Sequence, residues 1–107
     1  MDLAQKHCVP CEGGVFPLAR QESEQLLKKV SGWKLAADAL SISKQFTFKD
    51  FASALSFVDT IGAVAEAEGH HPDIALSWGR VEVTLSTHAI GGLSENDFIL
   101  AAKIDAL

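Results

Sequence analysis

The chain has 107 residues, of which 48% are hydrophobic and 21% are charged, a composition typical of one ordinary globular domain and not of a disordered segment. Lysine and arginine number 9 against 14 acidic residues, for a net charge of −5, and no basic stripe offsets this deficit, so direct binding to a nucleic-acid backbone is disfavoured. No apolar run approaches the roughly 18 residues of a membrane span, and the start of the chain lacks the basic and apolar regions of a secretory signal. The composition therefore favours a cytoplasmic protein that binds a small neutral molecule or another protein.

Residues 1–17 are rich in proline and glycine and are predicted to form an irregular N-terminal arm, with a single domain over 18–107. Cys8 and Cys11 lie in this arm, at a spacing that suits a redox pair or half of a zinc site, and His7 could add a third ligand. The sequence has no second cysteine pair to complete the usual four ligands. The simpler interpretation is a mobile arm with two reduced thiols.

The first regular element is predicted to be a helix that begins near Ala19. Its sequence is rich in helix formers, has a modest apolar face and stops at Gly32. A short strand over 33–36 and a longer one over 40–48 follow, and the longer one alternates between apolar and polar residues. These two strands are predicted to pair as a hairpin with one face buried.

A long amphipathic helix is predicted next. Thr47 and Asp50 have the spacing of a capping box at its start. The helix should end by Gly69, because Pro72 disfavours helical geometry at the residue before it. The apolar residues that recur at helical intervals are Phe51, Ala54, Leu55, Val58, Ile61 and Ala65.

Two more strands and a final helix complete the chain. The loop between the strands is predicted to be Gly79-Arg80 in a type II′ turn. Ser94 is predicted to cap the last helix, with Asp97 at the third helical position and Leu93 and Phe98 at the hydrophobic-staple positions. The strand residues predicted to face inward are Ile74, Leu76, Trp78, Val81, Val83 and Leu85.

The predicted order of elements is α-β-β-α-β-β-α. Antiparallel hairpins with helices between them imply an α+β fold, in which one sheet carries the helices on one face. The opposite face would be polar, and the edge strands could pair with a second subunit.

Three histidines are expected to converge at one end of this sheet. If Gly79-Arg80 is the loop, counting outward along the hairpin places His71 opposite His88, with His70 beside them. Cross-strand neighbours have Cβ atoms about 4.5–5.5 Å apart. A slip of one residue would turn the apolar face outward, so this register is favoured over its neighbours.

Clustered imidazoles suit proton transfer near neutral pH, and crowding separates acid from base roles because it disfavours protonation. Glu66, one turn before His70, could orient an imidazole or could simply be a solvated helix residue. Asp97 could contact a substrate or serve only as a helix cap. A zinc site of three histidines is the rival interpretation, although consecutive residues of an extended segment point in opposite directions, which makes His70 and His71 awkward ligands for one ion.

These residues resemble the motif of the pterin-4a-carbinolamine dehydratase family. The matching spacing runs from Glu66 through three residues to His70-His71-Pro72, through five to Trp78, through nine to His88 and through eight to Asp97. The resemblance covers nearly the whole chain. It also includes "GW" at 32–33, "FKDF" at 48–51 and the opening "CVPCEGG" of some bacterial-type members.

The resemblance implies a four-stranded antiparallel sheet with three helices on one side, assembled into dimers or tetramers. The implied activity is dehydration of 4a-hydroxytetrahydrobiopterin to quinonoid dihydropterin, without metal or organic cofactor. That reaction recycles the cofactor of aromatic amino-acid hydroxylases, which would be functional partners. No nucleic-acid or membrane partner is implied.

The resemblance also assigns roles to residues. His70 and His88 match the acid–base histidines, and His71 matches the histidine that mainly holds the pterin and supports catalysis. Supporting positions in the substrate pocket are matched by Trp33, Glu66, Pro72 and Asp97.

One position departs from the family's animal-type members, which carry arginine where this chain has Asn96. Any charged contact to substrate from that position is absent here, so substrate preference is open. Animal members also bind a homeodomain transcription factor as dimerisation cofactors. A non-catalytic protein-binding module is therefore the alternative function, alongside the zinc site.

Overall fold

The computed structural model describes residues 2–9 and 16–107. Within these residues, two short 3-10 helices, Leu3–Gln5 and His88–Ile90, accompany three α-helices and four strands. The bounds are α1 Arg20–Leu27, β1 Lys34–Leu35, β2 Ile42–Thr47, α2 Phe51–Glu68, β3 Asp73–Ser77, β4 Arg80–Leu85 and α3 Glu95–Asp105.

The four strands form one antiparallel sheet in the order β1-β2-β4-β3. The predicted pairing of β1 with β2 is confirmed, and the centre of the sheet is the long pairing of β2 with β4, from Ile42 opposite Leu85 to Thr47 opposite Arg80. The predicted α+β fold and element order are thus confirmed. Strands β1 and β3 form the two edges of the sheet.

The predicted register of the β3–β4 hairpin is wrong by two residues. Ile74 lies opposite Val83 and Leu76 opposite Val81, so the loop is formed by Trp78 and Gly79. A two-residue shift leaves every side chain on its predicted face, because strand side chains alternate with a period of two. Alternation therefore cannot distinguish these two registers.

A contact from outside the hairpin accompanies the observed loop. The backbone N–H of Phe48 donates to the carbonyl oxygen of Gly79 at 2.8 Å. A Cβ atom on Gly79 would lie only 2.8 Å from the carbonyl oxygen of Phe48, so glycine is required by this close approach. Trp78, predicted to face inward, lies in the loop and is 68% exposed.

The core lies between the sheet and the helices. Val81, Val83 and Leu85 of β4 are fully buried, as predicted. On α2 the prediction holds for the buried residues Ala54, Ile61 and Ala65, but Phe51 and Leu55 are exposed. The most buried helix is α3, whose core residues are Phe98, Ile99, Leu100, Ala101 and Ile104.

The ends of α2 and α3 largely follow the predicted capping signals, whereas α1 ends at Leu27, before the predicted stop at Gly32. Helix α3 begins after Ser94, whose backbone N–H donates to Asp97 Oδ2 at 3.0 Å. Helix α2 ends at Gly69, which has a left-handed φ of 65°. Its N-cap, however, is Asp50, which accepts the backbone N–H of Ser53 at 2.7 Å. Thr47 does not take part in the predicted capping box. It belongs to β2, where it pairs with Arg80 of β4.

The start of the chain packs against the domain. Leu3 is buried in the core, and the helical turn around it contacts α3. The ammonium group of Lys103 on α3 donates to the carbonyl oxygen of Ala4 at 2.8 Å. None of the helices in the described part of the chain is long and apolar enough to cross a membrane.

Candidate active site

The histidine pair lies where α2 passes into β3. The left-handed Gly69 ends the helix, and the backbone N–H of His70 still donates to the carbonyl oxygen of Ala65 at 3.2 Å. The chain then extends through His71 and Pro72 into β3. This geometry holds His70 against the helix end while His71 projects outward.

The structure places His70, His71 and His88 around one cavity of about 440 Å³. His88 comes just beyond the end of β4, at the first residue of the short helix His88–Ile90. The predicted convergence is therefore found, although the hairpin shift means that His71 is not the cross-strand partner of His88. The other residues that line the cavity are Cys8, Val9, Glu68, Gly69, Ser86, Thr87, Ala89 and Asn96.

His70 is held by a fully buried carboxylate. Its Nε2 lies 2.6 Å from Oδ1 of Asp97, which has no solvent-exposed surface. The other oxygen of Asp97 accepts the Thr87 hydroxyl at 2.8 Å and the backbone N–H of Ser94 at 3.0 Å. Asp97 thus caps α3, as one of the two interpretations predicted, and in addition contacts an imidazole. Its contact with a substrate stays a prediction.

This contact has a consequence for the imidazole. A carboxylate can only accept, so Nε2 of His70 donates the proton of that hydrogen bond. In the neutral ring the other nitrogen, Nδ1, is then the proton acceptor. The Thr87 hydroxyl, which donates to Asp97, in turn lies 2.8 Å from Oγ of Ser94. These hydrogen bonds orient the carboxylate.

His71 has a more exposed partner. Its Nε2 lies 2.5 Å from Oε1 of Glu66, but the two side chains are 61% and 79% exposed. An ion pair in that setting is screened by water and contributes little to stability. Glu66 therefore orients His71 from the rim of the cavity, whereas Asp97 holds His70 from inside the protein.

The side chain of His88 is exposed at the cavity. Within residues 2–9 and 16–107, no side chain forms a hydrogen bond or ion pair with this imidazole. Both ring nitrogens are therefore available to a ligand or to water. The three histidines thus differ in surroundings: one is anchored by a buried carboxylate, one by an exposed carboxylate, and one has no side-chain anchor in the described part of the chain.

None of the four supporting residues that the resemblance assigned to the pocket lines this cavity. Asp97 and Glu66 reach it only through their contacts with the histidines, and the other two, Trp33 and Pro72, do not reach it. Trp33 is buried in the core, and its indole N–H donates to both carboxylate oxygens of Asp105, at 3.1 and 3.2 Å. Lys44 also binds that carboxylate at 2.7 Å. Pro72 is half-buried just beyond the histidine pair, without lining the cavity. Their assigned roles in binding substrate stay predictions.

The cavity also contains Glu68 and Val9, which the sequence did not indicate, together with Cys8 and Asn96, which it indicated for other reasons. The backbone N–H of Cys8 donates to Oε1 of Glu68 at 2.7 Å, and the backbone of Val9 is bound on both sides by the side-chain amide of Asn96. Residues 7–9 are thus attached to the domain where an irregular arm was predicted. Glu68 lies two residues before His70, which is the one signal in the sequence that could have drawn attention to it.

Burial has a marked effect on the thiol at this site. Desolvation, followed by the nearby negative charge of Glu68, raises the pKa of Cys8 to about 12. The pKa of Glu68 is lowered, first by the hydrogen bond from the backbone of Cys8 and then by the one from His7. Cys8 is a free thiol, and Cys11, its predicted redox or zinc partner, lies outside the described residues.

A zinc site was the rival interpretation of the three histidines. Among the residues that the structure describes, no three histidine, cysteine, aspartate or glutamate side chains are placed so as to hold a metal ion. One nitrogen of His70 and one of His71 are already bound to different carboxylates. What the cavity can do chemically is accept and donate protons next to a ligand.

Comparison with known proteins identifies the class. Residues 16–107 match the family model described as pterin 4 alpha carbinolamine dehydratase, and the chain belongs to that family. A protein of Halorhodospira halophila named "Putative pterin-4-alpha-carbinolamine dehydratase" is 57% identical over 107 residues, which cover 100% of this chain and 98% of the relative. One of the same name from Rubrobacter xylanophilus is 48% identical, with 99% of this chain and 98% of the relative covered.

Solved structures confirm the fold and show its range. A protein from Brucella melitensis described as a transcriptional coactivator/pterin dehydratase superimposes with a TM-score of 0.79 at 34% identity, covering 84% of this chain and 96% of that one. A pterin dehydratase-like protein described as a RuBisCO assembly factor in the alpha-carboxysome gives a TM-score of 0.61 at 28% identity, covering 70% and 87%. The fold therefore also occurs in a relative described by an assembly role.

Proposed function

We propose that this protein removes water from 4a-hydroxytetrahydrobiopterin to give quinonoid dihydropterin, and so recycles tetrahydrobiopterin for aromatic amino-acid hydroxylases. The observation that carries the proposal is the cavity lined by His70, His71 and His88, with His70 anchored by the buried Asp97. Membership of the family supplies the substrate class. The reaction uses no cofactor beyond the substrate itself.

The chemistry requires one proton donor and one proton acceptor. The bond between C4a and the hydroxyl oxygen breaks, and a donated proton converts the leaving hydroxyl into water. The ring N–H next to C4a loses its proton, and the electron pair forms the new C=N bond. One proton enters and one leaves, so the pterin is dehydrated without net oxidation or reduction. Imidazoles can fill both roles near neutral pH.

The surroundings of the histidines favour a division of these roles. His70 donates through Nε2 to Asp97, so its Nδ1 is the acceptor for the ring proton. His88 exchanges protons with solvent and donates to the leaving hydroxyl. His71, at the exposed rim beside Glu66, holds the planar ring in position, which lowers the entropic cost of the reaction. Because His70 and His88 transfer protons while His71 positions the ring, variants of the first two should lower kcat, whereas a variant of His71 should raise KM.

The experiment that tests this function is a stopped-flow assay of 4a-hydroxytetrahydrobiopterin dehydration with purified protein in chelator. His70→Ala and His88→Ala should each lower kcat by roughly 10²-fold or to the uncatalysed rate, as expected for loss of a general acid or base. His71→Ala should chiefly raise KM. Gln25→Ala, on the exposed surface of α1, is the control. Circular dichroism checks that all variants are folded.

Three results would contradict the proposal. If wild-type protein does not accelerate the reaction, the cavity serves another ligand. If all three histidine variants unfold, the cluster is structural. A stoichiometric metal ion in protein purified without chelator, together with loss of activity on its removal, would replace the acid–base mechanism with a metal-dependent one.

A protein-binding role is the second candidate. It is favoured by the relative described as an assembly factor and by the exposed apolar residues Phe51 and Leu55 on α2.

Part of this apolar surface is also available for self-association. We propose that the protein forms a homodimer or homotetramer, with edge strands β1 and β3 as further pairing surfaces. Analytical ultracentrifugation of wild type and Leu55→Glu tests this. A monomeric wild type would contradict self-association.

A further inference from the structure

The start of the chain contributes directly to the histidine cavity. Cys8 and Val9 line it beside His70 and His88, although they lie about sixty residues or more away in the sequence. Cys8 is half-buried, whereas Val9 is 64% exposed next to the cavity. These two residues add apolar groups to a cavity that is otherwise lined mainly by imidazoles and other polar side chains. A flat heterocycle needs such apolar groups as well as polar groups at its edge.

The segment of residues 6–9, which we term the arm segment, begins with Lys6, whose ammonium group pairs with the exposed Glu95 at 3.1 Å. Two further side chains fasten residues 7–9 beside the cavity. Glu68 accepts the backbone N–H of Cys8 at 2.7 Å and contacts Nδ1 of His7 at 3.0 Å. Its carboxylate side chain is only 8% exposed, and the ammonium group of Lys103 lies 3.8 Å from it. A carboxylate in this position is a stronger acceptor than a neutral group.

The second fastener is Asn96, which is buried in the first turn of α3. Its Oδ1 accepts the backbone N–H of Val9 at 3.0 Å, and its Nδ2 donates to the carbonyl oxygen of Val9 at 2.5 Å. This two-point pairing fixes both the position and the direction of the backbone, as a neighbouring strand would. The thiol of Cys8 also lies 3.6 Å from the carbonyl oxygen of Asn96.

Both fasteners are next to the proposed catalytic groups. Glu68 precedes His70 by two residues at the end of α2, and Asn96 precedes Asp97 in α3. The elements that hold the acid–base machinery therefore also hold the arm segment. The arm segment does more than cover the core, because most of the surface of Val9 is exposed beside the cavity.

We propose that the arm segment is a fixed wall of the substrate site, with Cys8 and Val9 contacting the pterin ring and with Glu68 and Asn96 as the positioning residues that hold them. The proposal rests on the proposed function, since it deepens the description of the same cavity. Loss of a fastener should weaken pterin binding while the histidines remain in place. The expected signature is a raised KM with a nearly unchanged kcat.

The test combines kinetics with a thiol probe. Asn96→Ala and Glu68→Ala are expected to raise KM about fivefold or more, which corresponds to the loss of one modest contact, with kcat within twofold of wild type. Glu68→Gln keeps a carbonyl acceptor for the N–H of Cys8 and should recover much of the affinity. Gln25→Ala and Glu24→Gln, both exposed on α1, are the matched controls.

The thiol probe measures directly whether bound pterin covers Cys8 in the proposed wall. In a Cys11→Ser background, Cys8 is the single thiol, and its alkylation by iodoacetamide is followed by mass spectrometry with increasing 7,8-dihydrobiopterin as an unreactive pterin. We expect pterin to protect Cys8 at the same concentrations that saturate binding measured by fluorescence. Without pterin, Asn96→Ala should make Cys8 react faster because the arm segment is released.

The outcomes separate this inference from the proposed function. A wild type that neither binds nor dehydrates pterin overturns both. A wild type that does both, with no protection of Cys8 by pterin and an unchanged KM in both alanine variants, overturns the wall alone. Protection together with a raised KM, and recovery in Glu68→Gln, supports it, because a purely structural role would not depend on pterin.

Discussion

Oδ1 of Asp97 lies 2.6 Å from Nε2 of His70, and the carboxylate is completely buried while the imidazole lines the cavity. The contact joins the first turn of α3 to the end of α2 across 27 positions of sequence. Its other oxygen is already occupied by Thr87 and Ser94. The carboxylate therefore cannot turn toward solvent without breaking the cap of α3, and His70 is held in one orientation.

This geometry predicts that Asp97→Asn causes a large loss of kcat but only a modest loss in the free energy of unfolding. An amide can replace one acceptor, but an NH₂ group facing Nε2 would move the imidazole proton to Nδ1 and remove the proposed proton acceptor. We expect kcat to fall by roughly 10²-fold, with a loss in the free energy of unfolding of about 1 kcal/mol. Stopped-flow kinetics and urea unfolding measure the two quantities.

Asp105→Asn is the matched control, because that carboxylate lies at the opposite end of α3 and accepts the indole N–H of Trp33 and the ammonium group of Lys44. It should lose stability of similar size while kcat is kept. Full activity in Asp97→Asn would show that the buried carboxylate acts only as a helix cap.

Helix α2 gives a prediction about two glycines, Gly62 inside the helix and Gly69 at its C-cap. Gly69 has φ of 65°, a conformation in which a side chain is strained, so Gly69→Ala should lower the free energy of unfolding by about 1 kcal/mol. Gly62 lies inside α2 with open space around it. Gly62→Ala should raise the free energy by about 0.5–1 kcal/mol, because alanine favours the helix.

Urea unfolding of the two variants checks this contrast in sign. Gly69→Ala should in addition lower dehydratase activity, since relief of the strain would displace His70. Two variants of equal stability would mean that α2 ends elsewhere and that the junction is not fixed by Gly69.

Acid should weaken the attachment of the arm segment. The pKa of Glu68 is lowered by the hydrogen bonds from the Cys8 backbone and from His7. A carboxyl group with a lowered pKa in the folded state stabilises the fold above its ordinary pKa of 4.5, and this contribution is lost as the pH falls through the lower folded value. The stability difference between wild type and Glu68→Gln should therefore be larger at pH 7 than at pH 3.

Urea unfolding at both pH values measures that difference, and Glu24→Gln on α1 serves as the control for a solvated carboxylate. The comparison with the variant is needed because Asp50, which caps α2, also has a lowered pKa. A difference that does not change with pH would mean that the charge of Glu68 has no part in holding the arm segment.

Local patterns predicted much of this structure. Alternation in β2 and β4 indicated which residues are buried, and Ser94 with Asp97 gave the start of α3, because each signal depends on neighbouring residues alone. The two-residue shift of the β3–β4 hairpin could not be predicted this way, since both registers bury the same face. The contact between Phe48 and Gly79, which accompanies the observed register, joins distant parts of the chain.

Long-range pairs account for the parts of the site that the sequence did not reveal. Trp33 meets Asp105 across 72 positions, and Val9 meets Asn96 across 87. No periodicity or spacing rule relates residues so far apart. The histidines could be predicted because the imidazole side chain is suited to proton transfer near neutral pH. A hydrogen bond between a backbone N–H and a side-chain amide, by contrast, has no recognisable sequence pattern. The wall of the cavity therefore became visible only in three dimensions.

The thiol of Cys8 should be unusually unreactive at mildly alkaline pH. Burial, with the negative charges of Glu68 and Asp97, raises its pKa from 9.0 to about 12. Because the thiolate is the nucleophile, a rise of that size lowers the reactive population at pH 8 on the order of 1,000-fold. The raised pKa also means that the stability contributed by the neutral thiol is present below pH 9 and is lost as the pH rises toward 12.

The rate of alkylation by iodoacetamide in a Cys11→Ser background measures this pKa. In the folded protein the rate should still increase about tenfold per pH unit at pH 9.5, whereas in urea it should level off near pH 9. Levelling at the same pH in both states would contradict burial of the thiol, and with it the attachment of the arm segment to the cavity.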